Sequence, residues 1–309
     1  MQTEILSSSD LSRAAELLKR GEIVAFPTET VYGLGASIFN PEAIKKIFYA
    51  KGRPSDNPLI AHISSLGELE KIVSHVSGEA SLLMEAFFPG ALTLIFPRKE
   101  SVPAIVSGGL PTLAVRMPDH PVARELIQRV GEPLVAPSAN LSGRPSSTRL
   151  EHVLYDLSGK IAAVVDGGDS YFGVESTVLT LDPYPLILRP GSITPAQIEE
   201  VLNKKVEIST SVQGAPLSPG MKYRHYAPKA PLKLFFSQEE LSQYLSVDAS
   251  KRLVLTRSFS SRELYSLLRL TDEQEYAEIC LLCDAEMQQD LALMNRLRRA
   301  AASPELKID

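Results

Sequence analysis

Residues 21–63, GEIVAFPTETVYGLGASIFNPEAIKKIFYAKGRPSDNPLIAHI, carry more structural information than any other stretch of the chain. An apolar run from Ile23 to Phe26 stops at Pro27, with the length and bounding turn of a buried strand. Thr28, Glu29 and Thr30 then fall just past its carboxyl end, where open α/β sheets place ligands. Asn40 and Pro41 supply a helix cap and a proline at the first helical position, and Ile44, Ile47 and Phe48 follow at core-facing spacing. Lys51-Gly-Arg53-Pro-Ser-Asp-Asn57-Pro is too rich in proline to continue that helix, so Lys51 and Arg53 are expected on a loop. Leu59 to Ile63 resumes as a strand with His62 inside it.

A lysine, an arginine and an asparagine between two well-specified elements suit a phosphate or a carboxylate. Lysine brings a point charge, arginine a planar fork and asparagine both a donor and an acceptor. In isolation the loop reads as a solvated basic turn and His62 as a satisfied core histidine; the adjoining polar turn shifts the reading toward a site. As exposed cations, Lys51 and Arg53 would contribute little to stability.

Across the first two hundred residues short apolar runs alternate with helical patterns, which indicates an α/β domain with a mixed sheet. Strands are expected at Thr93 to Phe96, Thr112 to Arg116, Leu134 to Ala136, Ile161 to Val165, Thr177 to Leu181 and Leu186 to Leu188. Helices are expected at Asp10 to Lys19, Leu66 to His75, Glu79 to Phe87, Pro121 to Val130 and Pro195 to Leu202. Several runs end in polar segments able to converge on the first. Arg116 closes one of them. Ala136-Pro-Ser138-Ala-Asn140-Leu-Ser-Gly143-Arg144 carries hydroxyls, an amide and a glycine suited to a nucleotide, though a tight surface turn has the same composition. Asp166-Gly-Gly168 and the segment from Phe172 to Thr177 could form a flexible wall, and Arg189 places a further cation after a strand.

No GxxxxGK[ST] occurs, which excludes a P-loop, and Gly33-Leu-Gly35 is only a fragment of a dinucleotide fingerprint. HExxH and GxSxG are absent too. From about Lys204 to Ala230 apolar periodicity fades, prolines recur and Lys222-Tyr-Arg-His-Tyr226 forms a cationic and aromatic cluster, consistent with a linker or with a lid over a site. Beyond it, strands at Leu232 to Phe236, Leu253 to Thr256 and Ile279 to Cys283 alternate with helices at Gln238 to Leu245, Arg262 to Leu270 and Glu286 to Ala301. That pattern predicts a small Rossmann-like βαβαβα domain with parallel strands.

The chain has 309 residues, 44% of them hydrophobic, enough for two cores. Its net charge of −5 argues against a general nucleic-acid field. The opening residues lack the charged-then-apolar order of a signal peptide, and no segment has the length of a membrane span, so a cytoplasmic location is expected. Two cysteines cannot build a disulfide framework, and Cys280 and Cys283, within an apolar run, read as buried thiols rather than half a zinc site.

The strings FPTETVYGLG, IFYAKGRPSDNPLIAHI, FPGALTLIF, LAVRMPDHP, APSANLSGRPS, VDGG, GVESTV, ILRPGSIT and SPGMKYRHYAP, in that order, resemble the threonylcarbamoyl-AMP synthase family in its two-domain form. The resemblance runs almost continuously from Ser8 to Pro228. It implies a YrdC-like twisted mixed α/β domain over residues 1–203, a linker over 204–230 that may fold over the active site, and a C-terminal domain over 231–309. It also implies an enzyme that condenses L-threonine, bicarbonate or CO2 and ATP, the latter with Mg2+, into L-threonylcarbamoyl-adenylate and pyrophosphate. The product would feed a downstream tRNA threonylcarbamoyl transferase machinery acting on adenosine 37 of tRNAs that read ANN codons, with at most weak contact between this protein and tRNA.

Matched motif by motif, Lys51 and Arg53 would be the catalytic cations on the ATP phosphates, assisted by Asn57, Thr112, Ser138, Asn140 and Arg189. Arg116 would pair with the threonine carboxylate, and Thr30, His62, Ser176 and the backbone near Ala136 would complete the amino-acid pocket. Tyr223, His225 and Tyr226 match the linker segment that covers the nucleotide in this family. The resemblance assigns no general base, and His62 is the candidate by chemistry. The C-terminal domain is short and matches the family mainly through the helix with Leu293 to Leu297. Two other readings are an RNA-binding module, which the net charge disfavours, and a carbamoyl-transfer maturation factor, whose zinc-finger cysteines have no counterpart here.

Overall fold

The computed structural model describes residues 2–209, 225–246 and 251–302. Tyr223 and most of the expected linker lie outside these residues. Strands β1 (Glu4–Ser7), β2 (Val24–Phe26), β3 (Gly33–Ser37), β4 (Ile60–His62), β5 (Leu92–Pro97), β6 (Thr112–Arg116), β7 (Leu134–Val135), β8 (Ala163–Asp166), β9 (Thr177–Thr180), β10 (Leu186–Arg189) and β11 (Glu207–Ile208) form one mixed sheet. Among the described residues its order is β1-β8-β2-β3-β7-β4-β6-β5-β9-β10-β11. Helices α1 (Ser12–Lys19), α2 (Pro41–Lys51), α3 (Leu66–Ile72), α4 (Gly78–Phe87), α5 (Pro121–Val130), α6 (Leu150–Leu157) and α7 (Pro195–Leu202) connect these strands.

Side chains alternate across a strand, and the sheet sorts them by face. Ile23 and Ala25 join a core with residues of α2, α3, α4, α6 and α7. Val24 and Phe26 face the other way, into a smaller core with α1 and α5. Ala61 and Val115 belong to the first core, so Ile60, His62, Ala114 and Arg116 point to the side of α1 and α5. Among the described residues, α1 and α5 are the helices packed into the core on that side. The rest of it is occupied by the functional site and by the C-terminal unit.

That unit is a three-stranded parallel sheet, with β12 (Leu232–Phe235), β13 (Arg252–Leu255) and β14 (Glu278–Leu282) in the order β12-β14-β13. Helices α8 (Gln238–Leu245), α9 (Ser261–Glu273), α10 (Ala285–Gln289) and α11 (Leu291–Ala301) complete it. The expected single helix from Glu286 to Ala301 is broken because the Asp290 carboxylate caps α11, accepting from the Leu293 N–H at 2.9 Å. Cys280 and Cys283 are free and buried, and burial pushes both thiols up to about 11.

Four of the elements named above escape the sequence patterns: β1, β3, β11 and α6. Strand β3 reads Gly-Leu-Gly-Ala-Ser, a poor strand by propensity. It forms because β2 and β7 pair with it on both sides, and because a Cβ at Gly35 would stand 2.7 Å from the Phe26 ring. Helix α2, by contrast, begins where expected, with Asn40 Oδ1 accepting from the Ala43 N–H at 3.1 Å. It also runs one residue further than expected, to Lys51, which is helical rather than part of the loop.

The two units share a core in which Val31, Val174 and Tyr226 pack with Leu264, Tyr265, Leu268, Leu293 and Leu297. Gly173 lies at this seam with φ of +73°, and a Cβ there would meet the Arg262 backbone at 2.5 Å. Replacing Gly173 with alanine should therefore strain the backbone and part the units, lowering stability by about 2 kcal/mol. Urea denaturation of the variant checks this.

Candidate active site

The polar turn after β2 is held by its own hydroxyls. Thr28 Oγ1 donates to the Val31 carbonyl at 2.6 Å and accepts from the Thr30 and Val31 N–H groups, each at 3.3 Å. This local ring of bonds fixes Thr30 toward the uncovered sheet face. Segment 136–140 is tied to the same region: the Leu34 N–H donates to the Pro137 carbonyl and the Ala139 N–H to the Tyr32 carbonyl.

Lys51, at the end of α2, reaches this segment and donates from Nζ to the carbonyls of Ser138 and Asn140. Arg53 donates from Nε to the Asn57 carbonyl at 3.3 Å and from Nη2 to the Pro58 carbonyl at 2.9 Å. Both cations are buried, at 2% and 8% exposure, which corrects the expectation of exposed loop cations. Helix α2 and the 138–142 segment close over them, and the Ser142 N–H donates to the Lys51 carbonyl. Burial, reinforced by the neighbouring Arg53 charge, holds the Lys51 ammonium well below its ordinary pKa.

His62 and Arg116 stand side by side because β4 and β6 pair in parallel with these two residues in register. Strands β4 and β6 run opposite to β2, following the antiparallel pairings of β2 with β3, β3 with β7 and β7 with β4. The site is thus spread over a sheet face, not collected at one carboxyl edge as the sequence pattern implied. Burial and the Arg116 charge hold His62 down at about 3, so it stays neutral. Its Nδ1 lies 3.1 Å from the Ile60 carbonyl. A carbonyl only accepts, so Nδ1 carries the proton and Nε2 is left as an acceptor.

Arg116 donates from Nε to the Gly90 carbonyl at 3.1 Å, from Nη1 to Thr30 Oγ1 at 2.7 Å and from Nη2 to the Glu29 carboxylate. On the facing wall Ser176 Oγ bonds Thr93 Oγ1 at 2.7 Å, while Arg189 donates from Nε and Nη2 to the Ser176 carbonyl and hydroxyl at 3.1 and 3.2 Å.

These groups line one cavity with about 60 Å³ of free internal volume. Thr30, Lys51, Arg53, His62, Arg116, Ala136, Ser138, Asn140, Ser176, Arg189, His225 and Tyr226 all line it. Asn57 and Thr112 do not. Asn57 is buried behind the wall, where its carbonyl holds Arg53. Thr112 begins β6, roughly 13 Å along the strand from Arg116. His225 is half-buried against Tyr226, their rings 5.5 Å apart, and the loss of water around its ring with the Arg53 charge lowers it to about 3.

Sequence reasoning missed the part played by Glu175, which it placed in a flexible wall. The segment is neither exposed nor loose. Glu175 is buried and accepts from Arg296 Nε at 2.8 Å, from the Tyr265 hydroxyl at 2.9 Å and from Ser146 Oγ at 2.5 Å. Arg296 and Tyr265 belong to the C-terminal unit. Arg269, from α9, binds the Pro145 carbonyl and Asp156, and Asp272 binds Arg144 at 2.8 Å. The C-terminal unit therefore braces two cavity walls. The sequence signal available for this was two arginines, Arg269 and Arg296, and an acid, Asp272, on helices otherwise patterned for a core.

A cavity lined by four cations, one of them held by a threonine hydroxyl and a carboxylate, on a mixed α/β domain packed against a second unit, defines a two-domain protein with a strongly cationic polar site. Comparison with known proteins gives that class a family. A family model described as "Telomere recombination", covering Sua5, YciO and YrdC proteins, matches residues 16–191, and the model of the threonylcarbamoyl-AMP synthase C-terminal domain matches residues 193–302. The chain belongs to the threonylcarbamoyl-AMP synthase family. It is 47% identical to the Bacillus subtilis threonylcarbamoyl-AMP synthase, over 97% of this chain and 95% of that protein. It is 41% identical to the Pyrococcus abyssi enzyme of the same name, over 96% and 95%. The crystal structure of P. abyssi Sua5 complexed with L-threonine matches with a TM-score of 0.89 at 39% identity, covering 97% of this chain and 98% of that one.

Burial alone would raise the Glu175 pKa, but the Arg296 and Arg189 cations and the Ser146 hydrogen bond bring it down to about 2. An unfolded glutamate titrates near ~4.3. Its ionised form thus stabilises the fold above that pH, and the contribution is lost as pH falls toward 2. Glu175→Gln should cost about 3 kcal/mol at pH 7 and lose less further stability between pH 4.5 and 2 than the parent, as read by denaturant titration at each pH.

Proposed function

We propose that this protein condenses L-threonine, bicarbonate or CO2 and ATP into L-threonylcarbamoyl-adenylate, releasing pyrophosphate. The observation that carries this reading is one cavity lined at once by the cations Lys51, Arg53, Arg116 and Arg189 and by Thr30, His62 and Ser176.

In this reading the threonine carboxylate lies on the Arg116 fork, with Thr30, Ser176 and the backbone at Ala136 around the rest of the amino acid. Bicarbonate loses hydroxide to give CO2, the amine attacks its carbon so that a C–N bond forms as one C=O π bond opens onto the carbamate oxygen, and the ammonium proton passes to bicarbonate or water. His62 is too weak a base to keep that proton, and its Nε2 serves instead as a hydrogen-bond acceptor that orients the amine. A carbamate oxygen then attacks the α-phosphorus and the bond to the bridging oxygen breaks. Lys51, Arg53 and Arg189 hold the departing pyrophosphate, assisted by Ser138 and Asn140, and their charges favour the transition state as negative charge builds on the leaving group.

The burial that lowers the Lys51 pKa is offset once a polyanion occupies the site. Asn57 acts through Arg53, and Thr112 through the strand that carries Arg116. Magnesium arrives with the triphosphate as part of the substrate. His225 and Tyr226 line the cavity and lie against the nucleotide when it is bound. The product passes to transferase machinery that modifies adenosine 37 of tRNAs reading ANN codons, which places the protein in the cytoplasm with little direct hold on tRNA. Among the described residues no helix is long and apolar enough to cross a membrane.

Pyrophosphate release should depend on L-threonine and bicarbonate together, and mass spectrometry should detect the adenylate. Lys51→Ala or Arg53→Ala should each lower that rate by about 10² or more. Because both side chains are buried, a modest fall in melting temperature should accompany the loss. Release that proceeds without any amino acid would overturn the reading.

A further inference from the structure

Glu29 does not line the cavity, yet its carboxylate grips the guanidinium that does. Both partners are almost wholly buried, with side-chain exposures of 8% for Glu29 and 4% for Arg116. A guanidinium has five N–H donors. Nε gives its hydrogen to Gly90, Nη1 gives one to Thr30 and Nη2 gives one to Glu29. One N–H therefore remains on each terminal nitrogen, the number a carboxylate takes when it docks on both at once.

Charge is the second part of the argument. Lys51, Arg53 and Arg189 line the same small cavity as Arg116. An uncompensated Arg116 would extend the cationic surface across the whole pocket, and phosphate oxygens would compete for every part of it. Paired with Glu29, Arg116 keeps its hydrogen-bonding geometry while its long-range charge is cancelled. His62 beside it is neutral. Arg116 thus still reads planar oxygen pairs with its charge balanced by Glu29, in a cavity that Lys51, Arg53 and Arg189 also line.

Resting on the assignment of Arg116 to the amino-acid carboxylate, we propose that Glu29 is a positioning and specificity residue. It locks the Arg116 fork and keeps phosphates off it.

The test compares the wild-type protein with Glu29→Ala and Glu29→Gln, using adenylate formation detected by mass, L-threonine calorimetry and inhibition by inorganic pyrophosphate. Glu29→Ala should raise the KM for L-threonine about tenfold, with the KM for ATP within about twofold of wild type. Glu29→Gln, which keeps a hydrogen bond and loses the charge, should raise it less. In both variants pyrophosphate should become competitive with L-threonine, which it should not be in the wild type. A purely structural role would move the ATP and threonine constants together and leave the inhibition pattern alone, and that result overturns the inference. So does an unchanged threonine constant in both variants. If the alanine variant does not fold, the near-isosteric glutamine variant decides by its inhibition pattern. Wild-type protein that fails to bind L-threonine would overturn the assignment of Arg116 as well; wild-type binding with unaltered variants overturns this inference alone.

Discussion

The rest of the site depends on one buried carboxylate, that of Glu175. An ionised group out of water is tolerated only when its partners outweigh the desolvation cost. Here Arg296 and Tyr265 come from the C-terminal unit and Ser146 from the first. Ser176 follows Glu175 directly and is itself bonded by Arg189. The two units are therefore joined by an electrostatic knot that also sets a wall of the cavity, and parting them would leave Glu175 charged and unpaired.

The same logic recurs around the cavity. Cations that face the ligand are held from behind by groups that do not touch it: Lys51 by the carbonyls of Ser138 and Asn140, Arg53 by those of Asn57 and Pro58, Arg116 by Glu29 and Gly90. Each cation keeps a fixed direction at the cost of a raised free energy for its empty, charged state. That free energy is recovered only when a ligand with matching oxygens enters. A site organised this way favours orientation over flexibility, which suits a condensation whose chemistry rests on bringing three reactants together.

Much of this was legible in the chain. Asn40-Pro41 set the start of α2, Thr112 to Arg116 is a strand with both ends as expected, and Pro121 to Val130 and Pro195 to Leu202 are helices with the expected bounds. Twelve of the fourteen anticipated site residues line the cavity, because family motifs mark ligand contacts by residue type and order. Asn57 and Thr112 share those motifs but stand behind or away from the wall, a distinction that motif order does not encode. Strand β3 was illegible because two glycines and an alanine give no strand signal, and its formation rests on neighbours far along the chain.

The sequence by itself determined the bounds of several elements, which polar segments punctuate them and which family the chain resembles, since these depend on local patterns of caps, turns and periodicity. Tertiary structure alone decided that β4 and β6 run against β2, that Lys51 and Arg53 are buried, and that Arg296, Tyr265 and Arg269 reach across to the catalytic walls. Strand direction and burial are set by pairings between residues up to more than a hundred positions apart. No local pattern of residues encodes the sign of a pairing or the depth of a charge.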